Sequence, residues 1–151
     1  MSVQRERPYG GFNFLVQLGG GEDAGASRSG FCEVILPEAS VEVLEYRPGN
    51  SKEISPIKLT GPERYTNLIL KRGVDGSLNL YQWWNEVRNG AQNVERTVVI
   101  QLLSEDRGAV VMEWRFLRAR PVKYYFSPLN GLEGSPVYET VELAFERMEM
   151  G

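Results

Sequence analysis

A β-rich domain with a single helix laid against it is the fold class that the sequence predicts, on three observations. Apolar and polar residues alternate with period two along much of the chain, from Phe12, Phe14, Val16 and Leu18 to Met112, Trp114 and Phe116. Only one segment, inside Glu63–Gly90 (ERYTNLILKRGVDGSLNLYQWWNEVRNG), makes a convincing helix. Glycine, proline, asparagine and aspartate cluster between the alternating runs, where turns need them. At 151 residues, 42% of them hydrophobic, the chain suits one domain spanning 1–151 that buries roughly 70% of its unfolded surface.

The elements follow in order. Residues 1–10 are polar and form a flexible arm, and Phe12–Leu18 is the first strand. The glycine- and serine-rich stretch from Gly19 to about Gly30 is a loop. Phe31–Leu36 is a second strand, in which Cys32 reads as a small buried hydrophobe. Val41–Tyr46 is a third, half exposed. The stretch at about 47–62, RPGNSKEISPIKLTGP, is a long protruding loop, and loops beyond about 12–15 residues are usually functional or disordered. Its Ile54, Ile57 and Leu59 either tuck back onto their own domain or dock onto another subunit.

Thr66–Leu70 is the next strand, and Ser77 is placed to cap the helix that follows. Leu78, Tyr81, Trp84 and Val87 are read as the helix's apolar stripe, with Gly90 just past its end and Trp83 off the stripe's centre. Glu95–Leu103 and Ala109–Leu117 are the arms of a hairpin turning at Ser104–Gly108. Pro121 marks an edge or a bulge in the continuation of the second arm. The last segment, Val137–Met150, fits a strand or a helix, and its β-branched start favours the strand.

Several chemistries are excluded or disfavoured. The chain has no histidine, which removes imidazole bases, His-containing triads and most zinc sites. One cysteine allows no internal disulfide. No run of 18 apolar residues provides a membrane span, and no secretory leader is seen, so assembly in the cytoplasm is expected. With 17 basic and 20 acidic residues the net charge of −3 disfavours nucleic-acid binding, although Arg115, Arg118, Arg120, Lys123, Tyr124 and Tyr125 resemble a stacking surface. Gly19–Gly21 matches no phosphate-binding fingerprint. Glu142 and Glu146, read on one strand, stand about 13 Å apart at ~3.3 Å per residue, too wide for a glycosidase pair at roughly 5–9.5 Å. No metal-ligand spacing, cofactor motif or catalytic residue is found.

Five pieces of sequence, in this order and spacing, resemble the tail tube (inner tube) proteins of contractile-tailed phages and related contractile injection systems. They are Pro8–Phe14, Glu42–Arg47, Leu70–Gly73, Trp114-Arg115-Phe116 with Ala119–Lys123, and Glu139–Glu146. The resemblance implies a β-barrel-like fold of two packed antiparallel sheets with one flanking helix, a non-enzymatic subunit without cofactors, and self-assembly into hexameric rings that stack into a hollow tube. It implies as partners a surrounding sheath, baseplate and tail-terminating proteins, and DNA or a protein effector in the lumen, within a phage tail or injection particle. It implies that the long loop reaches a neighbouring subunit, giving Tyr46, Arg47, Ile54, Ile57 and Leu59 as contacts, together with Arg118 and Arg120. Those two arginines stand where many relatives have an asparagine and an aromatic, and Ile35-Leu36-Pro37 replaces their Ser-Gly-Leu turn. The alternatives are a tube-initiating baseplate subunit of the same fold, a monomeric ligand-binding β-barrel, and a hydrolase using Glu139, Glu142 or Glu146.

Overall fold

The computed structural model describes residues 2–19 and 30–151. In chain order these form β1 (Phe14–Gln17), β2 (Phe31–Ile35), β3 (Ala39–Tyr46), β4 (Ile57–Tyr65), β5 (Leu68–Gly73), α1 (Asn79–Arg88), β6 (Arg96–Leu103), β7 (Val110–Phe126), β8 (Tyr138–Ala144) and β9 (Arg147–Met150). Most of the expected loop after Gly19 lies outside the described residues. The last segment is strand, broken after Ala144 into β8 and β9.

One antiparallel sheet runs in the order β1-β6-β7-β8-β5-β2, with β9 added beside β7, and β3 and β4 pair separately with each other. The 17-residue β7 belongs to both halves of the main sheet. Its first part pairs with β6 and β9, its second part with β8. Between them Arg118 takes a positive φ of 55°, and the register shifts between Pro121 and Lys123. Each irregularity switches which residues face inward. Phe116, then Ala119 and Pro121, then Tyr124 therefore turn inward along one strand. The sheet folds over itself at this point, and Pro121 sits at a bulge in an interior strand rather than at an edge.

The two layers enclose a core of Val16, Leu68, Leu70, Val98, Ile100, Phe116, Val141 and Leu143. Helix α1 packs on β7 and closes one side. Its buried residues are Asn79, Leu80 and Trp83, while Leu78 and Tyr81 are exposed. The expected stripe is corrected, and the reason is angular. At about 100° per residue, steps of three drift about 60° each, so Leu78 and Val87 lie on opposite sides of the helix. Leu80, Trp83 and Val87 keep to one side, and the Trp83 indole N–H donates to Val94 O at 2.7 Å. Ser77 is not the cap. Leu78 holds that position without a side-chain bond, and the Ser77 hydroxyl donates to Asn79 Oδ1. At the other end Gly90 has φ 72°, with Gly90 N–H on Val87 O and Ala91 N–H on Glu86 O, the paired bonds of a Schellman turn.

Cys32 is exposed, against expectation. Strand β2 ends the sheet with a single neighbour, and its register shifts between Phe31 and Glu33. Only Phe31 is buried, so the apolar run does not lie in the core.

A polar cluster lies beneath the helix. Arg72 is 1% exposed, and its Nε is ion-paired with the buried Glu139 of β8. Its Nη2 donates to Asn79 Oδ1 on α1, and the Phe31 ring lies 5.5 Å from the guanidinium. Tyr124 of β7 donates its hydroxyl to Glu139 Oε2 at 2.5 Å. Four elements are joined through one carboxylate and one guanidinium. Burial, then the bond to Glu139, holds the Tyr124 hydroxyl well above the usual tyrosine range.

Trp83→Ala is expected to lower unfolding free energy by about 3–5 kcal/mol and Leu78→Ala by under about 0.5 kcal/mol in urea titrations; equal losses would contradict the helix orientation. Glu139→Ala, which takes the carboxylate away from a buried guanidinium, is expected to cost about 3–5 kcal/mol. Tyr124 keeps its proton in the fold beyond the pH at which the unfolded chain ionises, near 10. Its contribution is complete below about pH 10 and falls as pH rises above it, so the stability advantage of wild type over Tyr124→Phe should shrink there.

Candidate assembly surfaces

The stretch expected as a long loop is mostly a ribbon. Strand β4 starts at Ile57 and pairs antiparallel with β3, leaving Arg47–Pro56 as the tip. The register places Tyr46 opposite Ile57 and Leu44 opposite Leu59. Residues two apart on a strand share a face, so these four side chains form one apolar ladder. Nothing among the described residues covers it. Leu44 and Leu59 are each 48% exposed, Ile57 is 55% and Tyr46 56%, and Ile54 at the tip is 89% exposed. Among the described strands and helix, the extensive contacts of β3 and β4 are with each other.

Local sequence explains the shape. Between the Val41↔Glu63 and Val43↔Thr60 pairs, β4 carries one residue more than β3, at Gly61-Pro62. A Cβ on Gly61 would lie 2.9 Å from Glu42 O, and Pro62 needs no ladder partner at a bulge. At the base Glu38 and Thr66 exchange bonds at 2.7 and 3.1 Å, and the Tyr65 and Phe145 rings meet at 5.1 Å. At the tip Arg47 folds inward, donating to Glu53 O at 2.9 Å and Ser51 O at 3.2 Å. It holds the shape of its own turn.

The structure thus brings Tyr46, Ile57 and Leu59 onto one face, with Ile54 and Arg47 at the tip beyond them. It adds Leu44, which the sequence reading missed although Leu44 and Tyr46 stand two apart. Arg118 and Arg120 are on β7, in the main sheet and not in the β3–β4 pair, and pair with Glu146 at 3.1 Å and Glu95 at 3.9 Å. Arg115 and Lys123 also have carboxylates, Glu113 and Glu142, each at 3.7 Å. Tyr124 faces inward. The row of cations and aromatics is therefore neutralised residue by residue and split between two faces.

The arm at residues 2–10 runs back along the β6–β7 hairpin. Val3 N–H donates to Val111 O at 2.8 Å, and Arg5 pairs with Glu105 while stacking 3.8 Å from the Tyr9 ring. The hydrogen bond from Arg5 lowers the Glu105 carboxyl to about 2. Among the described residues no group of three or more His, Cys, Asp or Glu is placed to hold a metal, and no helix is long and apolar enough to cross a membrane.

The fold of this chain recurs in chains from contractile injection systems. The chain superposes on one from the PVC sheath–tube complex, an extracellular contractile injection system in the extended state, with a TM-score of 0.81 at 22% identity over 97% of this chain and 93% of that one. A chain of the anti-feeding prophage cap, a tube-terminating cap, gives 0.82 at 20% identity over 100% and 95%. One from the anti-feeding prophage baseplate gives 0.79 at 22% over 97% of each. No curated protein sequence matches the chain. Residues 10–149 match the T4-like virus tail tube protein gp19 family, and the chain belongs to that family of structural tube proteins.

Proposed function

We propose that this chain is the repeating subunit of an inner tube, with six copies closing into a ring and rings stacking into a hollow conduit. The observation that carries this reading is the β3–β4 ribbon. Its apolar ladder is half exposed and, among the described residues, its two strands pair only with each other, whereas a two-stranded hairpin is marginal in water unless it packs on something. A neighbouring copy is the partner always present. Tyr46, Ile54, Ile57 and Leu59, joined by Leu44, make the contact, while Arg47 shapes the tip that presents them. Arg118 and Arg120, with exposed charged ends, belong to a second, polar contact.

The subunit acts by geometry rather than catalysis. Head-to-tail contacts at a fixed rotation close a ring, and the ring's two faces then stack. A contractile sheath around the tube supplies the force, a baseplate starts it, a terminating protein ends it, and DNA or a protein effector occupies the lumen. Assembly takes place in the cytoplasm, in a phage tail or an injection particle. The likeness to a baseplate chain favours one variant of this reading, a tube-initiating subunit of the same fold. A repeating subunit polymerises alone, whereas an initiator stops at one ring.

Replacing Ile54 and Ile57 together by Asp is expected to leave thermal unfolding of the monomer within a degree or two, because both side chains are already solvated. The same variant should abolish tubes in negative-stain electron micrographs. Normal tubes from this variant would overturn the docking role of the ribbon.

A further inference from the structure

Strands β1 and β2 are the two ends of the main sheet. Among the described residues β1 pairs only with β6 and β2 only with β5, which leaves each with one edge that no described strand pairs. Between these edges lies a cavity of about 360 Å³ lined by Phe14 of β1, Val34 of β2, Ile100 of β6 and Trp114 of β7, with Cys32 and Glu33 also on its β2 wall. Its walls are mostly apolar. Glu33 has no ion-pair partner among the described residues.

Resting on the reading of the ribbon as a docking element, we infer that this seam between β1 and β2 is its receptor, and that the occupant is the Leu44–Tyr46–Ile57–Leu59 ladder of a second copy. Three observations match donor to acceptor. The ladder is apolar and exposed, and the seam offers apolar walls, two of them aromatic. Both sides carry strand edges that no described strand pairs, since β3 and β4 pair only with each other, so backbone hydrogen bonds can extend one sheet into the next. The charges are complementary. The ribbon tip holds Arg47 and Lys52 against the single carboxylate of Glu53, and Lys52, like Glu33 on the seam, has no ion-pair partner among the described residues. A head-to-tail ring requires one donor and one acceptor on every copy. Each chain has one ribbon and one such seam.

Cys32 provides the test, because it is the only cysteine and lies in the seam. Assembled Leu59→Cys protein, oxidised mildly and run on a non-reducing gel, is expected to give a ladder of covalent multimers. A disulfide needs Cα atoms within about 7 Å, so the ladder reports docking at this place. Cys32→Ser in the same background should remove it. Wild type should stay monomeric on the gel, and so should Val43→Cys, whose new thiol sits on the other face of the ribbon. Leu44→Cys and Ile57→Cys are parallel probes should Leu59→Cys not assemble. As an independent arm, Glu33→Lys should weaken assembly several-fold, and adding Lys52→Glu should restore it.

If the Ile54/Ile57 aspartate variant blocks tubes yet no ladder cysteine cross-links to Cys32, the ribbon docks elsewhere and the seam assignment falls. If the aspartate variant assembles normally, the docking reading itself falls. Cross-linking through Cys32 from the ladder, and not from Val43→Cys, supports both.

Discussion

Two strands joined by a turn have two faces and no interior, and this constraint governs what the rest of the domain has to accomplish. In β3–β4 the register sets Leu44 against Leu59 and Tyr46 against Ile57, so the apolar side chains collect on one face. The domain leaves that face in water. Burying an aliphatic side chain contributes about 1.5–3 kcal/mol relative to exposure, and a monomer forgoes much of this at four adjacent positions. On the proposed reading, the same apolar surface that weakens the isolated chain drives association. Ribbon and assembly are in this sense one thermodynamic unit.

A projecting element transmits position only if its base is stiff. Here the base is joined to the body through Glu38, Thr66 and the Tyr65–Phe145 ring contact. Strand β5 follows two residues after β4 and carries Arg72, whose guanidinium reaches Glu139 on β8 and Asn79 on α1, while Glu139 also takes the Tyr124 hydroxyl of β7. A buried ion pair contributes little net stability compared with apolar residues of the same shape, but removing one partner is costly. Its value is geometric: mispacked arrangements of helix and strands leave a charge buried alone. The folding of the sheet across β7 works in the same direction, because one continuous strand ties both layers together.

Much of this was legible from local patterns. Period-two alternation located the strands, Gly90 marked the helix end with the positive φ it adopts, and Pro121 marked a bulge. What was not legible depended on partners distant in sequence. Arg72 and Glu139 are 67 positions apart, and nothing near Lys71-Arg72-Gly73 announces a buried cation. The helix face was misread because a spacing of three was followed where the core selects Leu80 and Trp83. Cys32 was misplaced because an apolar run looks the same in an end strand as in a central one. Strand β4 was hidden by its glycine, two flanking prolines and the polar tip. Once the pairing is known, Leu44 joins the candidate contact through simple alternation, and Arg47, a candidate contact, is seen also to shape the tip.

Membership of the tail tube family and a ribbon whose apolar face no described residue covers point the same way. The central claim is that β3–β4 is completed only by another copy. Amide hydrogen exchange over residues 39–65, compared between assembled protein and protein held monomeric by dilution, tests it most directly. The account predicts fast exchange along the outer edges of β3 and β4 in the monomer, and strong protection in the assembly, with the β5–β8 amides protected in both. Equal protection of the ribbon in the two states would contradict it.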